Sequence, residues 1–523
     1  MLKKVMKINL KIIGIVVIVL IAVQVVTAYF FGIIAEKEFD NQFRKVTDSS
    51  LIKVVSRNYS RGWFTSDADV TLAVNNQALK NLASLLPTTG NESGVKLSDA
   101  EYKFNYKAHV TQGLFAGWLH GNFIPMMAYS TMDLNWPDSL SKVLKTFFKD
   151  EAPLTIHNVL YLNKSGKFTI NSPAFDYNEA LSGVNIVWGG IKGSVAYDSS
   201  FNKFTNQLSV PNFDFSAPTK GSVVLKNLTY YSQTERSVND IKVGIVDIKL
   251  ESVNVNLSES AFNSSLKLGE IIQTATGVSS AEFLNGLDVI NPTNFSLSNI
   301  RYSSQSSDEN NFFSANVKAG FESLVSNHRT YGPMDFDFSL NHVVADRFSK
   351  IIDLINAQAT ESDDQRNMDK DKTIQSLKDN FVPIFVNNPV VQLNNLSVKT
   401  PDGLISIKGK ATMNGFESSD INDKTKFLQK ISANVDFSVP KPVMSYLFLL
   451  QMKYFLTAGN AQMDQQSSDA LAKVVNILMD NQLQVWKSKG YIKESQGDLS
   501  SSIRFESGVV SLNGVATTSE SSE

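Results

Sequence analysis

The sequence predicts an α+β protein, mainly β: a single N-terminal transmembrane helix followed by a large body of long antiparallel, meandering sheets with a few amphipathic helices. Three features point there. Residues 12–34 contain no charged side chain, apolar and polar residues alternate at period two through most of the chain beyond them, and turn sequences such as Lys164-Ser165-Gly166 and Pro401-Asp402-Gly403 join successive runs. Strands with one apolar and one polar face, joined by short turns, form antiparallel sheet rather than parallel units.

The apolar run at residues 12–34 is interrupted by polar side chains only at Gln24 and Thr27. As a helix it reaches about 35 Å, enough to cross the ~30 Å hydrocarbon core of a bilayer. Lys3, Lys4, Lys7 and Lys11 precede it and Glu36, Lys37 and Glu38 come after it. The positive-inside bias then predicts a cytoplasmic N-terminus at 1–11, an anchor at 12–34 and an exported body at 35–523. A cleaved secretory signal competes, because Val26-Thr27-Ala28 offers small residues at a cleavage spacing. The apolar run continues past that site through Tyr29, Phe30, Phe31, Ile33 and Ile34, longer than the ~7–15 residues of a signal core. An uncleaved signal anchor is therefore expected: a bacterial inner-membrane protein, single pass, with a periplasmic body.

Phe39, Phe43 and Val46 keep helical spacing beyond the span. Ala68, Val70, Leu72 and Val74 then alternate with Asp67, Asp69 and Thr71, a half-buried strand. Leu79, Leu82, Ala83 and Leu86 predict a short helix ended by Pro87. Strand alternation returns at Phe168 and Ile170, Leu208 and Val210, Phe213 and Phe215, Val253 to Leu257, Phe313 to Ala319, Met334 to Leu340, Val391 and Leu393, Ile405 and Ile407, and Ile431 to Val439. A closing hairpin is expected at 499–515. Amphipathic helices are predicted from Leu140, Val143, Leu144, Phe147 and Phe148, and, within a helical interruption at 343–388, from Phe348, Ile351, Ile352 and Ile355. The tract between Thr360 and Lys372 is polar and mixed in charge, a solvated loop or exposed helix end. Helices are expected again at 440–489, where Val443 to Leu456 is too short to span a membrane. A buried helix is preferred there over one lying on a membrane or covering a lipid-sized cavity.

Composition excludes several functions. A net charge of −2 over 523 residues offers no field for nucleic acid, and the absence of cysteine removes disulfides, thiolate metal sites and cysteine nucleophiles. The five histidines, His109, His120, His157, His328 and His342, show no i, i+4 pairing and no H-E-x-x-H. No G-x-S-x-G elbow or phosphate-binding glycine loop occurs. Asp67 with Asp69, and Asp335 with Asp337, place paired carboxylates on one strand face, an arrangement that can bind a cation or share acid and base roles. The wet faces of amphipathic strands explain them more simply. No catalytic, cofactor or metal site is expected.

Three segments resemble a known family. Tyr59-Ser60-Arg61-Gly62-Trp63-Phe64-Thr65-Ser66 before a strand, His120-Gly121-Asn122-Phe123-Ile124-Pro125 with asparagine in place of the family's proline, and the tail Gly490-Tyr491-Ile492, Ile503 to Gly508 and Leu512-Asn513-Gly514 are similar to the YdgA-like (YdgA/YihF) family of bacterial envelope proteins. The resemblance implies one inner-membrane anchor and a large β-rich periplasmic body. It implies no activity or cofactor. It singles out Tyr59, Arg61, Gly62, Trp63, Phe64, His120, Gly121, Phe123 and Pro125 as motif positions without an assigned role.

Phenylalanine is frequent, 33 of 523 residues, and falls mostly on alternating faces. These aromatics either fill an ordinary core or line a curled sheet whose inner face holds acyl chains. Membrane tethering favours a non-enzymatic envelope protein that binds or shields a lipid or other amphiphile in an apolar β-trough. The alternative is a scaffold for envelope protein partners, with exposed apolar patches or sheet edges. The third is an enzyme, for which His120 and a carboxylate would have to converge in one cleft.

Overall fold

The computed structural model describes residues 10–47, 52–74, 102–136, 138–218, 220–258, 294–326, 328–360, 370–456 and 465–517. The helix expected from Leu79 to Leu86 and most of the mixed-charge tract after Thr360 lie outside them. The described residues are mostly antiparallel strand, with seven helices. The chain divides into two compact units, the first from Met1–Leu79, Leu97–Tyr177 and Trp188–Pro211, the second from Lys80–Lys96, Asn178–Val187 and Asn212–Glu523.

Unit 1 begins with helix α1 (Leu10–Thr47), which runs without a break through the apolar stretch and past Phe39, as the spacing predicts. It is long and apolar enough to cross a membrane. Strands β1 (Ile52–Arg61), β2 (Thr65–Val74), β3 (Tyr102–Gln112), β4 (Met126–Asn135), β5 (Thr155–Tyr161) and β6 (Gly166–Ser172) come next, with helix α2 (Asp138–Phe148) between β4 and β5. The short strand β7 (Phe175–Asn178) precedes a segment of unit 2 that carries most of the short β8 (Asn185–Trp188), after which β9 (Ile191–Tyr197) and β10 (Lys203–Ala217), the latter as far as Pro211, complete unit 1. Each pairs with the next in the order β1–β2–β3–β4–β5–β6–β9–β10, all antiparallel. The Lys164-Ser165-Gly166 turn joins β5 to β6 as expected, with Lys164 left-handed at φ 65°. On α2, Phe147 and Phe148 pack on Phe175 with ring centroids 5.2 and 4.9 Å apart, which explains the amphipathic face read at Leu140 to Phe148.

Unit 2 continues the same construction with β11 (Gly221–Arg236), β12 (Lys242–Leu257), β13 (Asn294–Glu309), β14 (Phe312–Phe321), β15 (Ser323–Ser326), β16 (Arg329–Tyr331), β17 (Met334–Val344), β18 (Val390–Thr400), β19 (Gly403–Met413), β20 (Ile431–Pro440), β21 (Lys493–Ser495), β22 (Asp498–Glu506), β23 (Val509–Leu512) and β24 (Val515–Ala516). Among the described residues, sequential pairing is broken by short side strands: β15 pairs on β13 and β16 on β15, while β14 pairs directly with β17, and β21 pairs on β22, while β20 pairs directly with β22. The helical interruption is α3 (Ala345–Thr360) and α4 (Lys370–Val386), whose Ile351 and Ile384 share a core with Phe313, Val343 and Val344 of the sheet. A short α5 (Lys424–Gln429) is capped by the Asp423 carboxylate, which accepts from the Thr425 and Lys426 amides.

The C-terminal helices are α6 (Lys441–Leu456) and α7 (Gln465–Ser488). One side of the pair buries Met479 and Leu483 against Leu499, with Met444 and Ile492 alongside. The expectation of a buried helix at 443–456 needs correcting: Val443 is buried, but Tyr446, Leu447 and Phe448 are exposed, as are Val474, Ile477 and Leu478 on α7. Two adjacent helices can bury only the side that faces the sheet and each other, so a helix apolar all round keeps an apolar outer face.

Candidate functional site

The register of the unit 1 strands decides what lies inside. Ala108 pairs with Met132, Met132 with Ile156, and Ile156 with Ile170; in the next row Val110 pairs with Ser130, Ser130 with Asn158, and Asn158 with Phe168. Because side chains alternate across a strand, these rows share one face of the sheet. They line a cavity of about 640 Å³ with Tyr59, Leu72, Tyr106, Ala128, Leu134, Leu160, Val195, Tyr197, Phe201 and Phe204. Ala35, Glu38 and Phe39 of α1 complete its wall. The trough lies within unit 1 and its lining is almost wholly apolar.

Polar groups in the lining are few. Glu38 is 5% exposed; its carboxylate accepts from Asn41 Nδ2 at 3.3 Å and lies 3.9 Å from Lys164 Nζ. Tyr197 Oη donates to Asn158 Oδ1 at 3.2 Å. The buried Tyr59 hydroxyl has no partner of good hydrogen-bond geometry among the described residues. Burial pushes its pKa above the ordinary phenol value, and the Ser66 hydroxyl offsets this only in part. Burial alone raises Tyr106 in the same direction. Both phenols stay protonated across physiological pH and add no charge to the lining.

Helix α1 is fastened to the trough by its two polar interruptions. Gln24 Nε2 donates to the Gln112 carbonyl at 3.2 Å and Gln24 Oε1 accepts the Phe115 amide at 3.0 Å, while Thr27 Oγ1 accepts the Leu114 amide at 3.2 Å. Ala28, Gly32 and Ala35 form the contact stripe, Ala28 being fully buried. A Cβ on Gly32 would lie 2.7 Å from Gln112 Oε1, so glycine there is what lets the helix close on the sheet. Gln112 is the hub beneath: fully buried, it donates from Nε2 to the carbonyls of Gly62 at 2.8 Å and Trp63 at 3.2 Å and accepts from Ser66 Oγ at 3.2 Å.

The motif positions gather around this junction. Tyr59 lines the cavity, its ring 5.1 Å from Phe39. Arg61 Nε lies 3.5 Å from Glu36 Oε2, tying the end of β1 to α1. The Gly62 amide donates to the Thr65 carbonyl, and a Cβ there would sit 2.4 Å from that oxygen. Trp63 Nε1 donates to the Val25 carbonyl and its ring packs 5.0 Å from Tyr29. Trp63 and Phe64 thus pack on the helix rather than into the body, and both remain about half exposed. His120 ends a 3-10 turn (Trp118–His120) closed by left-handed Gly121, and its ring stacks 4.4 Å from Tyr129. Phe123 and Pro125 are exposed on the same loop. The sequence marked Gln24 and Thr27 only as interruptions and did not single out Gln112. The signal available was their i, i+3 spacing on the helix side that carries Ala28, Gly32 and Ala35.

The other candidates stay apart from this site. His109 Nδ1 lies 2.6 Å from Asp67 Oδ1, with Asp133 3.6 Å from Nε2, all well exposed on the wet face of β2 to β4. His342 bonds the Asn387 carbonyl and stacks on Phe312. Asp335 pairs with Arg301. At Asp337 burial acts to raise the pKa, but hydrogen bonds from Asn316 and Asn394 and the Lys318 charge outweigh it and hold the carboxyl below its ordinary value. Asp335 and Asp337 therefore serve separate cross-strand bonds. Among the described residues no group of three His, Asp or Glu side chains is arranged to hold a metal ion. At the tail, Asn513 Nδ2 donates to the Gly490 and Tyr491 carbonyls, so the third similar segment is a clasp between the closing hairpin and the end of α7.

Sequence comparison matches residues 6–518 to the profile of DUF945, described as a bacterial protein of unknown function. No curated protein and no solved structure matches the chain.

Proposed function

The chain belongs to the DUF945 family of bacterial proteins of unknown function, and from that premise we propose that it is a membrane-tethered, non-enzymatic binding protein that shields the apolar part of a lipid or other amphiphile in the unit 1 trough. The observation that carries this is the cavity itself: about 640 Å³, walled by alternate residues of the meander and closed by α1. That volume lies within the ~300–1,000 Å³ of small-molecule sites, which are concave and mostly apolar with a few placed polar groups. The similarity of its motifs to YdgA-like envelope proteins agrees with an inner-membrane anchor and a periplasmic body, and α1 supplies the apolar length such an anchor needs.

Native mass spectrometry of the full chain, extracted from membranes in detergent, tests the reading. A bound lipid should be retained by the wild type and depleted in Ala108→Phe and Ser130→Phe, which place a ring in the trough. A wild-type chain that carries no lipid, or equal retention by folded filled variants, overturns it. A scaffold for envelope proteins is the second reading, favoured by the exposed Tyr446, Leu447, Phe448, Ile477 and Leu478 on α6 and α7. Photo-crosslinking from Ile477 in cells separates the two: reproducible protein adducts there support the scaffold.

A further inference from the structure

The bonds of Gln24 fix how much of α1 is free to cross a membrane before unit 1 begins. From Ile12 to Gln24 the helix rises only about 18 Å, whereas the hydrocarbon core is ~30 Å thick. The free part of the helix is therefore about 12 Å short. Its outward side continues apolar for that distance: Val26, Phe30 and Ile33 are 55%, 58% and 41% exposed, and the first charged residues after Lys11 are Glu36 and Lys37. Gln24 to Ile33 adds about 14 Å, which closes the gap.

The part of unit 1 beside that stretch is equally apolar. Trp63, Phe64, Trp118, Leu119, Phe123 and Ile124 are 54%, 45%, 44%, 90%, 72% and 57% exposed. Trp63, Phe64 and Trp118 are level with residues 20–29 of the helix, since Phe64, Phe115 and Trp118 share a hollow with Leu20, Ile21 and Val25 and Trp63 packs on Tyr29, while Phe123 packs edge-on against Trp118. From Gly62 to Phe64 and from Gly113 to Met127 there is no Lys, Arg, Asp or Glu. Charge resumes on both sides together, at the Arg61–Glu36 pair.

Backbone in hydrocarbon must satisfy its own polar groups, and this loop largely does. The amides of Gly113, Ala116, Trp118, His120, Gly121, Asn122 and Met126 donate to carbonyls within 113–127. Ile124 donates to Asn122 Oδ1, and Leu114 and Phe115 donate to Thr27 and Gln24 of the helix. Trp63 Nε1 is satisfied by Val25.

We propose that the rim formed by Trp63, Phe64, Trp118, Leu119, Phe123 and Ile124 is embedded in the lipid leaflet adjoining the body, so that unit 1 sits partly sunk in the membrane rather than standing off it on a stalk. This rests on α1 being the membrane span. It sets the lipid acyl region against the unit that holds the trough, and it gives both motifs, 59–66 and 120–125, one task.

The absence of cysteine makes the test simple, because one introduced cysteine is a unique labelling site. The full chain is reconstituted in vesicles of phosphatidylethanolamine and phosphatidylglycerol with an environment-sensitive fluorophore at Leu119→Cys, Phe123→Cys, Leu20→Cys or Leu181→Cys, the last a fully exposed unit 2 position. Labels at 119 and 123 should emit at shorter wavelength than the label at 181 and should be quenched by spin-labelled acyl chains, as should the label at 20. A label at 20 in lipid with those at 119 and 123 as aqueous as 181 overturns the embedded rim and leaves the span intact. A label at 20 that is itself aqueous overturns the span and the rim with it.

Discussion

Replacing Gln112 with leucine tests whether one buried amide holds the motif turn and the helix together. The substitution keeps the side-chain volume nearly constant but removes two donations to backbone carbonyls and the acceptor for Ser66 Oγ. Ser66 is only 2% exposed, so its hydroxyl loses its partner where water has little access, at about 1–3 kcal/mol. The Gly62 and Trp63 carbonyls each lose a donor at a part-buried site, a net loss of about 0.5–1.5 kcal/mol apiece. The sum, about 2–6 kcal/mol, should lower the unfolding midpoint of a unit this size by roughly 4–24 °C. Thermal unfolding of the full chain in detergent, followed by near-UV circular dichroism, reads this out. The Gln112→Leu/Ser66→Ala double variant should be less destabilised than the sum of the singles, because both remove the same bond. An unchanged midpoint in Gln112→Leu, or strict additivity, would refute the hub.

Gly32→Leu should detach α1 from the trough without affecting membrane insertion, because even its Cβ collides with the amide end of Gln112, which is buried and held by three hydrogen bonds. With the other tryptophans replaced by phenylalanine, Trp63 emission should shift to longer wavelength; no shift refutes the close approach. Asp337 should stabilise unit 2 above the unfolded carboxylate pKa of ~4, and that contribution should fade as pH falls through its lower folded value, since the folded pKa is depressed. Asp337→Asn should therefore cost stability at pH 7 and show a shallower loss below ~pH 4 in urea titrations, and parallel acid profiles for the two proteins would contradict this.

Most strands were legible because one face of each is wet, so the period-two pattern survives at Ala68 to Val74, Phe313 to Ala319 and Ile431 to Val439. The strands that build the deepest part of the trough were less so. In β4, Met126 to Ser130 are buried in succession, because one side faces the trough while Met126 and Tyr129 pack with Ala116 of the rim loop, and burial on both sides erases alternation. The helix was read correctly as apolar, yet a hydropathy pattern cannot separate a side facing lipid from one facing small, well-packed protein. Ala28, Gly32 and Ala35 count the same in either case. What distinguishes them is Gln24 and Thr27, whose polar groups need partners in any apolar setting, and those partners are backbone amides some 90 residues away in sequence. No local pattern carries that information.

On the amphiphile reading, the apolar lining of the trough favours an apolar occupant. Covering that lining with an apolar chain removes it from water at about 25 cal/mol per Å². Water is a poor occupant, because a buried water needs two to four polar partners and the lining offers few. An acyl chain fills the volume without that demand. Glu38 then restricts what the chain can be attached to: a carboxylate 5% exposed, held by one amide and a more distant ammonium, favours a head that donates hydrogen bonds or carries positive charge and repels another carboxylate. On the amphiphile reading, lipids with hydroxyl or amine heads should co-purify in preference to free fatty acids. Glu38→Gln should narrow that preference by about tenfold, the effect of ~1.4 kcal/mol. Equal retention of the two classes by the wild type, measured by native mass spectrometry after equimolar competition, would show that Glu38 does not face the head and that the ligand lies the other way round in the trough.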